Sequence, residues 1–184
     1  RLLDADWPTK RGSAQYYGGF HGDLSAKGYM SLRGPHCMFS CTYLMALKAA
    51  SRLAQLLGEP QEQRSFDQRA EKITASIRSA FWDESRGCYA DNLLHETFSV
   101  HASLLAVSSG AAEEQQIPRL RQHVLGELGS IFRNGYDPSN QSIVSPNYAY
   151  YLFESLYRLG LYGTAENMMR QGWGWMLAQG FKTC

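Results

Sequence analysis

The sequence predicts an all-α fold: three helical hairpins, residues 36–180, behind an irregular loop segment, residues 1–35. Three observations carry this. Apolar residues recur at helical spacing through most of the chain after Pro35. Segments apolar nearly all round alternate with one-sided amphipathic segments. Each apolar segment stops at a glycine, Gly58, Gly110 or Gly160, and those stops lie 52 and 50 residues apart. A repeat of that length exceeds the ~33–34 residues of tetratricopeptide and ankyrin units. Helices apolar on most sides need neighbours all around, which a two-layer ring of inner and outer helices supplies better than an open solenoid. A closed ring needs more than three pairs, so the 184 residues read as one unit, about half of a ring.

The elements follow in order. Residues 1–34 hold Gly12, Gly18, Gly19, Gly22, Gly28 and Gly34 among Tyr16, Tyr17 and His21, a density of glycine that breaks regular structure. Residues 36–57 form a helix whose polar line is confined to Lys48, Ser51, Arg52 and Gln55, with Gly58 as its stop. Cys37 and Cys41, four apart, share one face as small core residues. Residues 61–82 place Phe66, Ala70, Ile73, Ile77 and Phe81 on one side, and 83–87 turn the chain. The second pair is 97–109 and 113–128, the latter with Ile117, Leu120, Val124 and Leu128 on its apolar side. The third is 146–159, opened by Pro146, and 162–178. Tyr148, Tyr150, Tyr151 and Tyr157 read as core aromatics with polar tips, and Trp173-Gly174-Trp175 as packing.

Composition narrows the function. Hydrophobic residues are 44% and charged residues 19%, which is globular and excludes disorder. A formal net charge of +1 argues against a nucleic-acid partner. No apolar run approaches the roughly 20 residues of a membrane span, so no membrane partner is expected and the chain reads as soluble. The compartment stays open. No CxxC or cysteine–histidine spacing of a zinc site occurs, so neither metal, cofactor nor disulfide is expected. Arg1 in place of Met and the stop at Cys184 read as cut ends. A half-ring so cut would expose apolar flanks and self-associate.

Candidate chemistry is sparse. Asp6-Trp7 pairs a carboxylate with a flat aromatic face, a combination suited to sugar hydroxyls and sugar rings, and equally to a tryptophan anchoring its loop. His101, at the start of an apolar helix, can face a ligand in the ring or satisfy a backbone carbonyl. Glu96 precedes that helix, and Glu154 lies inside the apolar fifth helix, where a carboxylate must be paired, protonated or functional.

Asp6-Trp7-Pro8 resembles the Asp-Trp motif of the α-L-rhamnosidases of glycoside hydrolase family 78. The helix from Tyr43 to Ala50, Leu57-Gly58 and the stretch from Ile77 to Trp82 are similar to that family in order and spacing. Thr97 to Ala102 resembles its Ser-Gln-His segment, with Val100 in place of Gln, and Trp173 to Cys184 looks like the approach to its Trp-Glu motif. The resemblance implies an (α/α)6 toroid and an inverting glycosidase acting on terminal α-L-rhamnosides. Inversion needs an acid and a base about 6.5–9.5 Å apart. By the resemblance the general acid precedes Arg1 and the general base follows Cys184, so no catalytic residue is assigned within the chain, and the isolated fragment would be inactive. What remains is a sugar-binding wall of Asp6, Trp7 and His101 for a rhamnoside-like carbohydrate. Alternatives are another α/α-toroid carbohydrate enzyme, of the unsaturated glucuronyl hydrolase or sugar epimerase type, and a non-enzymatic helical scaffold. Substituting His101 or Glu154 separates the first, and an exposed apolar groove without monosaccharide binding marks the second.

Overall fold

The computed structural model describes residues 35–128 and 148–181. Six α-helices occur among them: α1 (Cys37–Leu57), α2 (Pro60–Phe81), α3 (Val100–Ser109), α4 (Ile117–Glu127), α5 (Ala149–Arg158) and α6 (Tyr162–Ala178). A short 3₁₀ turn, Glu114–Gln116, leads into α4. The predicted hairpins are α1–α2, α3–α4 and α5–α6, and the partners of each pack together. The expected bounds agree to within four residues. Pro60 and Pro118 fall in the first turns of α2 and α4, where the missing N–H has no helical partner to lose.

The glycine stops do what the period requires. Gly58, Gly110 and Gly160 all take left-handed backbone, with φ of 73°, 71° and 71°. At Gly110 the amide meets the Val107 carbonyl, closing the last turn of α3. That end of α3 is further capped by cations. Lys48 Nζ donates to the Ser109 carbonyl at 2.6 Å, and Arg78 Nε to the Ala111 carbonyl at 2.7 Å, where helix-end carbonyls carry partial negative charge. Burial, with Arg158 and Arg78 nearby, lowers the Lys48 pKa.

The inner layer is α1, α3 and α5, with α3 in the middle against both others. Every residue of α3 from Val100 to Ser109 is buried. Leu44, Leu47, Leu104, Leu105, Leu152 and Leu156 form the centre of the core, joined from the outer helices by Ile77 and Leu120. A polar seam stitches α3 to α5. Ser155 Oγ donates to the Leu104 carbonyl at 2.6 Å and lies 2.6 Å from Ser108 Oγ. These hydroxyls are satisfied across the helix contact, so their burial costs little.

The two flanking inner helices expose apolar flanks, as a cut half-ring implies. α1 exposes Tyr43, Leu53, Leu56 and Leu57, the third at 69%; among the described residues it packs chiefly against α2 and α3. Three other expectations need correction. Tyr150 (67% exposed) and Tyr157 are likewise outside the core, while Tyr148 is inside it. Ser51, assigned to the polar line of α1, is buried and donates to Asp67 Oδ1 on α2 at 2.5 Å. The 83–87 turn is also more than a turn: Trp82–Asp83 and Cys88–Tyr89 pair as a two-residue antiparallel ribbon, β1 and β2. Arg119 of α4 holds it, bonding the Glu84 carbonyl and Glu84 Oε1 and standing 5.8 Å over the Trp82 ring. Gly87 has a left-handed φ of 70°, and a Cβ there would meet Arg119 Nε at 2.5 Å, so a side chain would strain the backbone and displace the guanidinium that holds the ribbon.

Cys37, Cys41 and Cys88 are buried free thiols, the first two with sulfurs 3.9 Å apart. Among the described residues no three His, Cys, Asp or Glu side chains gather as a metal site, and no helix is long and apolar enough to cross a membrane.

Candidate functional site

The starts of all inner helices lie at one pole of the half-ring, with their later turns and the glycine stops toward the other, as the contacts of Cys37 with Ala102, His101 with Tyr148 and Lys48 with Ser109 show. At the first pole Cys37 Sγ lies 4.0 Å from the Ala102 carbonyl, so α1 and α3 begin side by side, and His36 and His101 each stand one residue ahead of that contact. His101 packs edge-on against Tyr148, at the start of α5, with centroids 5.0 Å apart. Thus His36, His101 and Tyr148 mark the starts of the three inner helices.

The segment between β2 and α3 builds this pole. The Asp91 carbonyl accepts from the Cys37 amide at 2.9 Å, and the Asp91 amide donates to the Thr97 carbonyl at 2.9 Å. The Asp91 carboxylate, wholly buried, accepts from the Ser99 amide at 3.0 Å and from Ser99 Oγ at 2.5 Å. Ser99 in turn caps α3, its Oγ accepting from the Ala102 amide. Burial raises the Asp91 pKa, and the Ser99 and Thr97 hydrogen bonds oppose that rise. Next to it, Asn92 pairs with His36 through the backbone, and its Oδ1 accepts from the Leu94 amide at 3.1 Å.

His95 fastens the tip of this segment to the first hairpin. Its backbone is left-handed, φ 51°, and its ring reaches Asp83 Oδ2 and the Ala80 carbonyl, each at 3.0 Å. Both partners are acceptors, so the doubly protonated ring satisfies them best. The Ala80 carbonyl first, and Asp83 second, raise the His95 pKa, while Ser85, His95 and the Arg86 amide pull that of Asp83 far down. A raised histidine pKa stabilises the fold fully below the ordinary value near 6.5 and loses that contribution as pH climbs through the folded one. Thermal stability is therefore expected to fall from about pH 6.5 upward, and His95→Gln to flatten that slope. A slope unchanged by the substitution would show that the ring does not titrate with folding.

The sequence-derived candidates distribute as follows. Asp6 and Trp7 lie outside the described residues. His101 is 1% exposed, and burial pushes its pKa down to about 3, so the ring is neutral. Glu96 is exposed at the pole and accepts from Asn92 Nδ2 at 3.2 Å. Glu154 sits on the rim of α5 and is paired with Arg158 at 2.8 Å, which accounts for a carboxylate in that helix. Two residues escaped the reading of the sequence. Asp91 carried no motif, and His36 stood in Gly34-Pro35-His36 as an ordinary helix start; contacts more than 50 residues apart in sequence, Cys37 with Asp91 and His36 with Asn92, bring them together.

Residues 22–184 match the family described as the bacterial alpha-L-rhamnosidase 6 hairpin glycosidase domain. The match begins after Asp6-Trp7. Among solved structures, the chain is similar to a rhamnosidase from Klebsiella oxytoca with rhamnose bound, at 20% identity and a TM-score of 0.63, over 80% of this chain and 26% of that one. The chain thus spans about a quarter of that protein's length, and the likeness is one of fold. No curated protein matches.

Proposed function

Because the chain belongs to the bacterial α-L-rhamnosidase six-hairpin glycosidase family, we propose that it supplies half of the ring of an inverting glycosidase acting on terminal α-L-rhamnosides. The observation that carries the reading is the family match over 22–184, laid on three hairpins whose inner helices start at one pole. Inversion requires one carboxylic acid to protonate the leaving oxygen while an opposing carboxylate deprotonates water. The reading assigns the acid to a segment preceding Arg1 and the base to one following Cys184. The partners of the acids support that division: near the pole Asp91 is engaged by Ser99 and Asp83 by His95, and farther along α5 Glu154 is engaged by Arg158. This chain's share is then the sugar-binding wall of Asp6, Trp7 and His101, the first two suited by their chemistry to hydroxyls and a ring face.

An aryl α-L-rhamnoside tests this. The 184-residue chain alone is expected to release no aryl group. In a protein that also carries both flanking segments, the first sugar anomer seen by proton NMR should be β-L-rhamnose. There Trp7→Ala is expected to lower kcat/KM roughly tenfold or more with the fold intact. Turnover by the chain alone would return the catalytic pair to acids within it, Asp4, Asp6, Glu96 and Glu154 first. A stability loss of about 3–5 kcal/mol in Trp7→Ala would make Trp7 a packing residue instead.

A further inference from the structure

The stretch from Asp91 to Thr97 is a loop closed at its base, where the Asp91 amide donates to the Thr97 carbonyl at 2.9 Å. Asn92 gathers the tip of this loop. Its carbonyl accepts from the His95 amide at 3.2 Å, and its Oδ1 from the Leu94 amide at 3.1 Å. These bonds shape the tip without tying it to a neighbouring element, and Leu93 and Leu94 are exposed. The tie to the first hairpin is the His95 ring, with Nδ1 3.0 Å from Asp83 Oδ2 on β1 and Nε2 3.0 Å from the Ala80 carbonyl near the end of α2. Among the described residues His95 is also the one residue other than glycine with left-handed backbone. A residue with a Cβ adopts that conformation at a cost, so the bonds of its ring hold the tip in a shape it would otherwise leave. A ring set between two acceptors needs two N–H groups, and the imidazolium has two while the neutral ring has one. Whichever nitrogen keeps the proton, the neutral ring turns a lone pair toward one of the two oxygens.

We propose that His95 is a proton-operated latch: the charged ring pins the 92–96 tip to the first hairpin, and loss of its proton frees the tip about the Asp91–Thr97 base. The latch is independent of the rhamnoside reading, since every bond in it lies within this chain. The groups around the ring leave the control to His95 itself. On β1, Asp83 stays ionised, its carboxylate held by Ser85, the ring and the Arg86 amide. Cys88, opposite Asp83 in the ribbon, keeps its proton, because burial above all pushes its thiol up to about 12. In the turn, Glu84 is taken by Trp82 Nε1 and Arg119. Arg86 stands 4.3 Å over the Phe98 ring, which in turn lies edge-on to His95 at 6.0 Å. Within the loop, Glu96 accepts from Asn92 and Asp91 from Ser99. On α2 the contact is a carbonyl, which does not titrate, and Arg78 nearby is bound to Ala111 and Glu113. The base of the loop stays with the inner helices, since Asn92 pairs with His36 and Ser99 caps α3. Release of the tip therefore reshapes the rim of the pole and leaves the core in place.

The test is NMR of the full 184-residue chain between about pH 5 and 9, following the His95 ring resonances and the backbone order parameters of residues 93–96 together. As the ring loses its proton, the order parameters of the tip are expected to fall from about 0.85 to below about 0.6 in the same step, while those of α3 stay unchanged. His95→Gln cannot carry the charge, so its tip should be mobile at every pH and show no step. Asp83→Asn removes the charge that faces the ring and should move the step to lower pH. A tip equally ordered on both sides of the ring's titration would overturn the latch, as would a ring that does not titrate in this range. A tip in His95→Gln as ordered as the wild type at about pH 5 would overturn it too. A step left in place by Asp83→Asn would overturn Asp83 as the partner that the proton serves. Should His95→Gln not fold, His95→Asn takes its place with the same expectation, because Asn accepts left-handed backbone and its shorter side chain does not span both acceptors.

Discussion

Leu104→Ala is expected to destabilise the protein by about 3–5 kcal/mol, the most severe outcome among single truncations of α3. Leu104 is fully buried on the helix that touches both flanking inner helices and α4. Its removal takes away apolar transfer energy and leaves a cavity that neighbours packed on several sides cannot collapse to fill. Leu56→Ala provides the control. Leu56 is also a helical leucine of the inner layer, but it is exposed, and its loss should change stability by no more than about 0.5 kcal/mol. Urea denaturation of both variants measures the difference. Equal costs would mean that α3 is not the centre of the packing.

The second large effect belongs to Asp91. Asp91→Ala is expected to cost about 2–4 kcal/mol, because it leaves the half-buried Ser99 amide and hydroxyl without their carboxylate partner and loosens the cap of α3. The wild-type carboxylate carries its own pH signature. Its folded pKa lies above the ordinary carboxylate value, so its contribution is full below that value and is lost as pH rises through the folded pKa. Asp91→Ala should therefore abolish a decline of stability with rising pH on the acid side, in addition to lowering stability overall. Urea midpoints compared across acid pH in the two proteins check both parts. A variant as stable as the wild type would show that the loop is held by the Asp91 backbone alone.

How much was legible follows from the range of the interaction involved. Cys37 and Cys41 read as one core face because the helical period is local, and both are buried. The stops at Gly58, Gly110 and Gly160 were legible because a left-handed residue after an apolar run is itself a local signal. Ser51 was misplaced because the Asp67 that satisfies it belongs to the next helix. Tyr150 and Tyr157 were misplaced because composition cannot tell which flank of α5 has a neighbour. The ribbon of β1 and β2 is two residues a strand, too short for a period to register. At the candidate site, His101 was visible by its place at the start of an apolar helix. His36 was not, since its burial arises where residue 92 comes back beside it.

The placing of α3 between α1 and α5 also bears on how the protein comes apart. Among the described residues the hairpins form a short linear array in which the middle unit packs against both others. Stability in such an array is shared between units and their junctions, so fraying starts at the outer hairpins and reaches the centre last. Sequence-local pairing of α1 with α2 and of α5 with α6 closes at little loop entropy, which favours rapid formation of the separate hairpins. The junctions through α3 then set cooperativity: a lesion in α3 uncouples the two ends, whereas a lesion in α2 or α6 is felt by one of them.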